Sequence, residues 1–302
     1  MNAHRAGDRL PVTRLATGAL VGVTAIWGST FVVVKDAIGR MPVADFLLWR
    51  FTLAAAAMLL IRPRSLVDLG SGGRRAGALL GLALGAGYLL QTLGLRTASA
   101  AVSGFITGMF VVLTPVAGAV LLRQRPDRLV AAAVGLATAG LALLSLRGLS
   151  VGTGELLTLG CAAAFALHIV GLGRWAPSYE AFGLAVVQLL TTAALCAVFV
   201  VPHGLHVPPD GGVWAALGLT ALAATALAFV VQTWAQAHLP PTRAAVIMTM
   251  EPVFSGVFAV AVAHERLGVR TVAGAALVLV AMLLTELGHR GVDLGEQPRL
   301  EV

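Results

Sequence analysis

The residues that could do chemistry in this chain are few, and most interrupt apolar runs. Glu251 lies in the middle of the stretch from Thr242 to Arg270, which is otherwise nearly all apolar, and Pro252 follows it. A carboxylate at the centre of a membrane helix costs about 2.5–3.5 kcal/mol on insertion scales. Proline removes a backbone donor and loosens the helix at that turn. Both costs are tolerable where that face lines a protein-walled, partly wet cavity. A carboxyl group held in such a place can exchange a proton, so Glu251 is the first candidate proton carrier. The bland alternative is a proline kink whose carboxyl bonds to a neighbouring helix.

Gln91 and Gln232 also sit inside apolar runs. Facing a cavity, each amide offers a donor and an acceptor to a polar solute. Facing another helix, each is interhelical glue worth about 0.6–2 kcal/mol. Both readings stay open. Tyr88 lies one helical turn before Gln91, on the same face. His168 is the one histidine deep in a run. It could carry a proton, since imidazole titrates near neutrality, or it could be a hydrogen-bonded packing residue. Arg50 cannot be neutralised. It therefore needs a carboxylate, backbone carbonyls or a bound solute. Trp27 and Phe31, a turn apart, could form one cavity wall, although core packing is the better expectation for Phe31.

Other chemistries find no support. Cys161 and Cys196 lie in apolar runs and read as small core residues, so no metal site and no disulfide is expected. Gly70-Ser71-Gly72-Gly73 reads as a flexible turn, because no P-loop Lys-Ser/Thr follows. The chain lacks H-E-x-x-H and any ATP-binding motif. No catalytic residue and no cofactor is therefore expected. An intramembrane enzyme and a polytopic scaffold or channel remain the rival readings.

Residue totals explain where these side chains must be held. The chain has 302 residues, 58% hydrophobic and 12% charged. Soluble domains carry about 25% charged residues, so half that value is a membrane signature. The net charge of +7 does not point to nucleic acid, because the basic residues fall in short gaps between apolar runs. A spanning helix needs about 20 apolar residues. The candidates are Ala16–Val34, Val43–Ile61, Ala76–Leu95, Ala100–Leu122, Leu129–Leu146, Glu155–Leu172, Ala181–Val201, Val213–Gln236, Arg243–Ala263 and Val269–Leu287. The first reads as a retained span, since no small-x-small cleavage site follows it.

Basic residues mark the cytoplasmic side. With the N-terminus inside, 14 of the 21 fall in cytoplasmic segments and 6 outside, with Arg50 within a span. Both termini therefore read as cytoplasmic. A shift of 141 residues lays Tyr88-Leu89-Leu90-Gln91-Thr92 on Phe229-Val230-Val231-Gln232-Thr233, Ile106 on Ile247, and Gln124-Arg125 on Glu265-Arg266. Ten spans split five and five, and an odd repeat must enter the membrane with opposite polarity. The expected fold is an all-α integral membrane protein, ten transmembrane helices in a 5+5 inverted-repeat bundle. Residues 1–150 form the first repeat and 151–302 the second. Pro115 and Pro252 are expected to break the same helix of each copy at slightly different depths. Inverted repeats are the architecture of many secondary transporters, with the substrate site at the repeat interface. Glycines spaced by four, Gly18/Gly22, Gly77/Gly81/Gly85 and Gly104/Gly108, read as close helix packing.

Four stretches resemble EamA-type members of the drug/metabolite transporter superfamily. They are W-G-S-T-F at Trp27–Phe31, W-R-F at Trp49–Phe51, F-I-T-G-M-F-V-V-L-T-P at Phe105–Pro115, and E-P-V-F with H-E-R-L at Glu251–Phe254 and His264–Leu267. The resemblance covers essentially the whole chain and implies ten spans, cytoplasmic termini and a central cavity. It implies export of small metabolites such as amino acids, or of drug-like compounds, across the inner membrane of a bacterium, with proton coupling as a further expectation. Its partners would be a small-molecule substrate and the bilayer, with no nucleic acid. A homodimer is compatible with it. One departure is Gln124-Arg125 in place of a first Glu-Arg pair, which should weaken a helix-end ion pair rather than the cavity. The candidate substrate-binding set is Gln91, Gln232, Glu251, Tyr88, Trp27, Arg50 and His168, with Glu251 and His168 as candidates for proton coupling.

Overall fold

The structure is a computed structural model that describes residues 9–121, 128–147, 150–239, 247–248 and 250–293. Gln124-Arg125 and the stretch 240–246, part of the expected ninth span, lie outside these residues. Long apolar runs can satisfy their backbone polar groups only within themselves, so they fold as helices. The first five runs give α1 (Arg9–Ala37), α2 (Val43–Ile61), α3 (Gly70–Leu95), the broken pair α4 (Ala100–Thr107) and α5 (Phe110–Leu121), and α6 (Arg128–Ser145). The next give α7 (Thr153–Trp175), α8 (Ala181–Val200), α9 (Gly211–Ala221) leading through a π-helical turn at Leu222–Leu227 into α10 (Ala228–His238), then α11 (Met250–Ala261) and α12 (Val269–Asp293). Among the described residues, seven of the helical stretches are long and apolar enough to cross a membrane. Shorter apolar helices cover Ala132–Leu144, Met250–Ala261 and Val269–Leu284. Among the described residues, the strand structure is a two-residue antiparallel ladder, Leu146–Arg147 against Ser150–Val151.

The helix pairings have an internal symmetry. Helix α3 packs on α7, as the α9–α10 helix packs on α1. Helix α8 packs on α3, as α2 packs on α9 and the π turn. Helix α11 packs on α1, as α4 and α5 pack on α7. The pairs α2·α8, α6·α12 and α4·α11 map onto themselves. Exchanging the first five runs with the second five preserves these pairings, which fits an inverted repeat. The connections also segregate. At one end Arg40 bridges Asp36 and Asp210, and Trp49 donates to the His206 carbonyl at 3.0 Å. At the other end Arg62 lies 3.3 Å from Glu180 and 3.5 Å from Asp68. The Asp210 carboxyl is held below the ordinary carboxylate range, first by the Val213 amide that it caps at the start of α9 and then by the charge of Arg40.

Close approach requires glycine where backbones touch. A Cβ on Gly81 would lie 2.6 Å from the Gln188 carbonyl oxygen of α8, and its neighbours Gly77 and Gly85 face Val187 and Leu195 of the same helix. Gly18 and Gly22 do not behave this way. Nothing lies within 4 Å of either position, so they face open space and their spacing carries no packing. The break in the fourth run also differs from expectation. It falls at Gly108–Met109, upstream of Pro115, which stays inside α5. A Cβ on Gly108 would meet Met282 Cε at 2.5 Å and Pro252 Cγ at 3.0 Å, so packing against α11 and α12 fixes that point.

Glu265 shows what the H-E-R-L stretch does. Its carboxylate accepts from the Ala100 and Ala101 amides at 2.8 and 3.2 Å, while Ser99 Oγ accepts from Val102 N. These are orphan donors at the start of α4. Lys35, whose Nζ donates to the Ala98 carbonyl, lies within electrostatic reach of Glu265. The carboxylate thus caps a helix end as well as facing a cation. Glu265→Ala should therefore lower stability by about 1–2 kcal/mol, from a lost cap and a lost charge at the dipole's positive end. Thermal unfolding in detergent checks this, with Glu265→Gln falling between the two because it keeps one acceptor.

Candidate functional site

A partly open void with about 480 Å³ of empty space lies among the helices. Six of the seven expected substrate-binding residues line it: Trp27, Tyr88, Gln91, His168, Gln232 and Glu251. The seventh, Arg50, lines a smaller adjoining void of about 230 Å³ that shares Thr30, Phe31 and Gln91 with the first. Phe31 is thus both core and wall.

The walls come in matched pairs. The 141-residue shift that aligns Gln91 with Gln232 also aligns Trp27 with His168, Tyr88 with Phe229, and Phe110 with Glu251, and all eight residues face the void. The void therefore sits where the two copies meet. Its polar groups are not symmetric. Where one copy has an acid the other has Phe110, and where one has a phenol the other has Phe229. Phe110, Phe165, Met248, Leu84 and Ile169 also line the void and were not singled out from sequence. The shift alone could have found Phe110, as the partner of Glu251.

The individual side chains are held to different degrees. Trp27 Nε1 donates to the Ala224 carbonyl at 2.9 Å, and its ring lies 5.6 Å from Phe229. That carbonyl belongs to the π-helical turn, whose i→i+5 pattern displaces backbone groups from their usual partners. The same turn receives Arg50. Its Nε donates to Thr225 Oγ1 at 2.8 Å, and one terminal nitrogen lies 3.5 Å from both the Ala224 carbonyl and Tyr88 Oη. The guanidinium stacks 4.8 Å above the Tyr88 ring. Arg50 is 2% exposed, and among the described residues no carboxylate pairs with it. An Arg50–Glu251 pair is not formed.

Glu251 is 6% exposed, and no basic side chain among the described residues pairs with it either. Helix α1 presses against its turn of α11: a Cβ on Gly28 would lie 2.9 Å from the Glu251 carbonyl oxygen and 2.8 Å from the Ser255 nitrogen. Gln91 donates to Thr107 Oγ1 at 3.2 Å. Gln232 Oε1 is buried and has no hydrogen-bond partner among the described residues, so one of the two amides has an acceptor to offer a solute. His168 Nε2 lies 2.7 Å from Gln188 Oε1, and Gln188 Nε2 donates to the Leu184 carbonyl. With the amide oriented that way, Nε2 is the protonated nitrogen of the ring. This ties the imidazole to α8 as a packing residue on the void's wall.

The profile of the EamA-like transporter family matches this chain twice, over residues 15–146 and 152–287. The chain belongs to the EamA-like transporter family. It is 33% identical over 267 residues to an uncharacterised transporter of Archaeoglobus fulgidus, a match covering 88% of this chain and 83% of the relative. A solved crystal structure covers 93% of this chain and 99% of its own at a TM-score of 0.65. With 22% identity, that likeness shows the fold. This is a multi-pass membrane protein of a transporter family, so the void is a candidate substrate site.

Proposed function

We propose that this chain is a secondary transporter that exports small metabolites, amino acids among them, by alternating access coupled to protons. Its ten spans form two five-helix repeats, residues 1–150 and 151–302. It lies in the inner membrane of a bacterium with both termini in the cytoplasm. The excess of arginine in the segments joining alternate spans supports that orientation. The observation that carries the reading is the void, whose walls pair across the two copies and which buries an acid beside a smaller void that buries a guanidinium, the two charges not paired with each other. Alternating access needs a site at the repeat interface, reachable from either side when one repeat rocks against the other.

The two unpaired charges also suggest the substrate's chemistry. Arg50 calls for a carboxylate, and the edge-packed rings of Tyr88, Phe165 and Phe229 offer apolar contact. Tyr88 lies within electrostatic reach of both Arg50 and Glu251. A zwitterion can place its carboxylate at Arg50 and its ammonium toward Glu251. Glu251 then alternates between proton and substrate, while His168 stays bonded to Gln188.

Counterflow in proteoliposomes tests this. Vesicles loaded with an unlabelled amino acid should take up the labelled one transiently and saturably. Flux that rises linearly with concentration and shows no trans-stimulation would mean a channel, and no flux of any amino acid would remove the substrate assignment.

A further inference from the structure

A second group of ionisable side chains lies away from the void, at the end of the bundle that carries Arg40. Asp45 sits in the first turn of α2, and His203 and His206 lie in the loop between α8 and α9. The ligand atoms of the three lie within 4.8 Å of one another. His206 Nδ1 is 3.1 Å from Asp45 Oδ1, and His203 Nε2 is 4.0 Å from Asp45 Oδ2. The two imidazole rings are 5.5 Å apart, tilted by 38°. We propose that Asp45, His203 and His206 form a binding site for a borderline divalent metal ion, with zinc as the reference ligand.

The carboxylate is the decisive member. Asp45 is fully buried. Its Oδ1 accepts from the His206 amide at 2.6 Å, which holds the loop in place, but its Oδ2 has no hydrogen-bond partner. A buried carboxylate oxygen left unpaired costs free energy unless something fills the place. Oδ2 faces His203, at a distance too long for a hydrogen bond and suited to two ligands sharing one ion. Metal–ligand bonds of about 2.0–2.2 Å in tetrahedral geometry put neighbouring ligand atoms roughly 3.3 Å apart. Rotation of the half-exposed histidine rings closes the remaining gap, and the same exposure gives an ion its way in. Two imidazoles with one carboxylate suit zinc, copper or nickel, whereas magnesium and calcium favour all-oxygen sites. The fourth position is left to water.

The loop is already anchored for this. The Trp49 indole donates to the His206 carbonyl at 3.0 Å, and Trp49 packs edge-on to Trp214 of α9 at 5.5 Å. An ion here would join α2 to the α8–α9 loop, two segments 161 residues apart. The proposal stands independently of the transport reading, since it uses no residue of the void.

The test uses full-length protein purified without a polyhistidine tag and stripped with chelator. Zinc should bind at one equivalent per chain by calorimetry and raise the melting temperature by several degrees. Cobalt should give the intense visible absorption of a low-coordinate site. His203→Ala should abolish the zinc-dependent shift or weaken binding at least about tenfold. It should leave the metal-free melting temperature nearly unchanged, because among the described residues the other side-chain hydrogen bond of His203 is to its neighbour Gly204, and its backbone bond to Val200 survives the substitution. His238→Ala, an exposed histidine elsewhere, should bind zinc normally. No zinc binding at molar excess, or full binding by His203→Ala, would overturn the proposal.

Discussion

Glu251→Gln is expected to abolish accumulation driven by a pH gradient while leaving exchange of substrate intact. One pH unit is worth about 1.4 kcal/mol, so one-for-one exchange of proton and substrate supports about a tenfold concentration ratio. Wild-type protein in vesicles with an imposed one-unit gradient should approach that ratio, and the variant should stay near unity. Counterflow, which needs no proton, should persist at saturating substrate, with a weaker affinity because the ammonium loses its counter-charge. The amide keeps the size and polarity of the side chain but cannot deliver a proton. Folding should not suffer, because no cation pairs with the carboxyl among the described residues and a buried unpaired acid is costly. A variant that still accumulates substrate along the gradient would show that another group carries the proton. Loss of counterflow even at saturating substrate would mean that the carboxylate charge is required for substrate binding itself.

Much of this site could be read before any coordinates. Polar side chains inside long apolar runs are expensive, so each one found there needs a reason, and six of the seven proposed residues meet at one void. The same cost argument recovers Arg50 and its need for partners. What composition hides is backbone irregularity. Nothing in Leu222-Ala223-Ala224-Thr225-Ala226-Leu227 announces a π-helical turn, yet that turn supplies the carbonyl for Trp27 and the hydroxyl for Arg50. Spacing of small residues is likewise ambiguous. Gly77, Gly81 and Gly85 touch α8, whereas Gly18 and Gly22 share their spacing and touch nothing. A four-residue period says which residues share a face, not what that face meets. Cross-chain clusters are hidden altogether: Asp45 and His206 have no local pattern linking them, and only the fold brings them together. Glu265 was legible as a helix-end charge, but its role as the cap of α4 depends on which helix start it reaches.

Arg50→Gln is expected to cost affinity for carboxylate-bearing solutes and little else. Hydrogen bonds to charged groups are worth about 1.5–3 kcal/mol, so the dissociation constant should rise roughly 10- to 100-fold. An ester or amide of the same solute has no charge for the guanidinium to recognise, and its weaker binding should be nearly the same for both proteins. That contrast separates recognition from scaffolding. A purely structural arginine would lower binding of all solutes alike, together with stability. The geometry argues against that outcome. The guanidinium holds Thr225 Oγ1 at 2.8 Å and stacks on Tyr88, but no acid pairs with it among the described residues, so its removal strands no buried carboxylate. Breaking a buried ion pair is strongly destabilising because one charge is left behind. Here no charge is left behind, because the substitution removes the unpaired charge itself. The melting temperature should therefore hold or rise, while equilibrium binding of the free carboxylate collapses. Equal loss for acid and ester would place the substrate's charge elsewhere and leave Arg50 as a clamp on the π-helical turn.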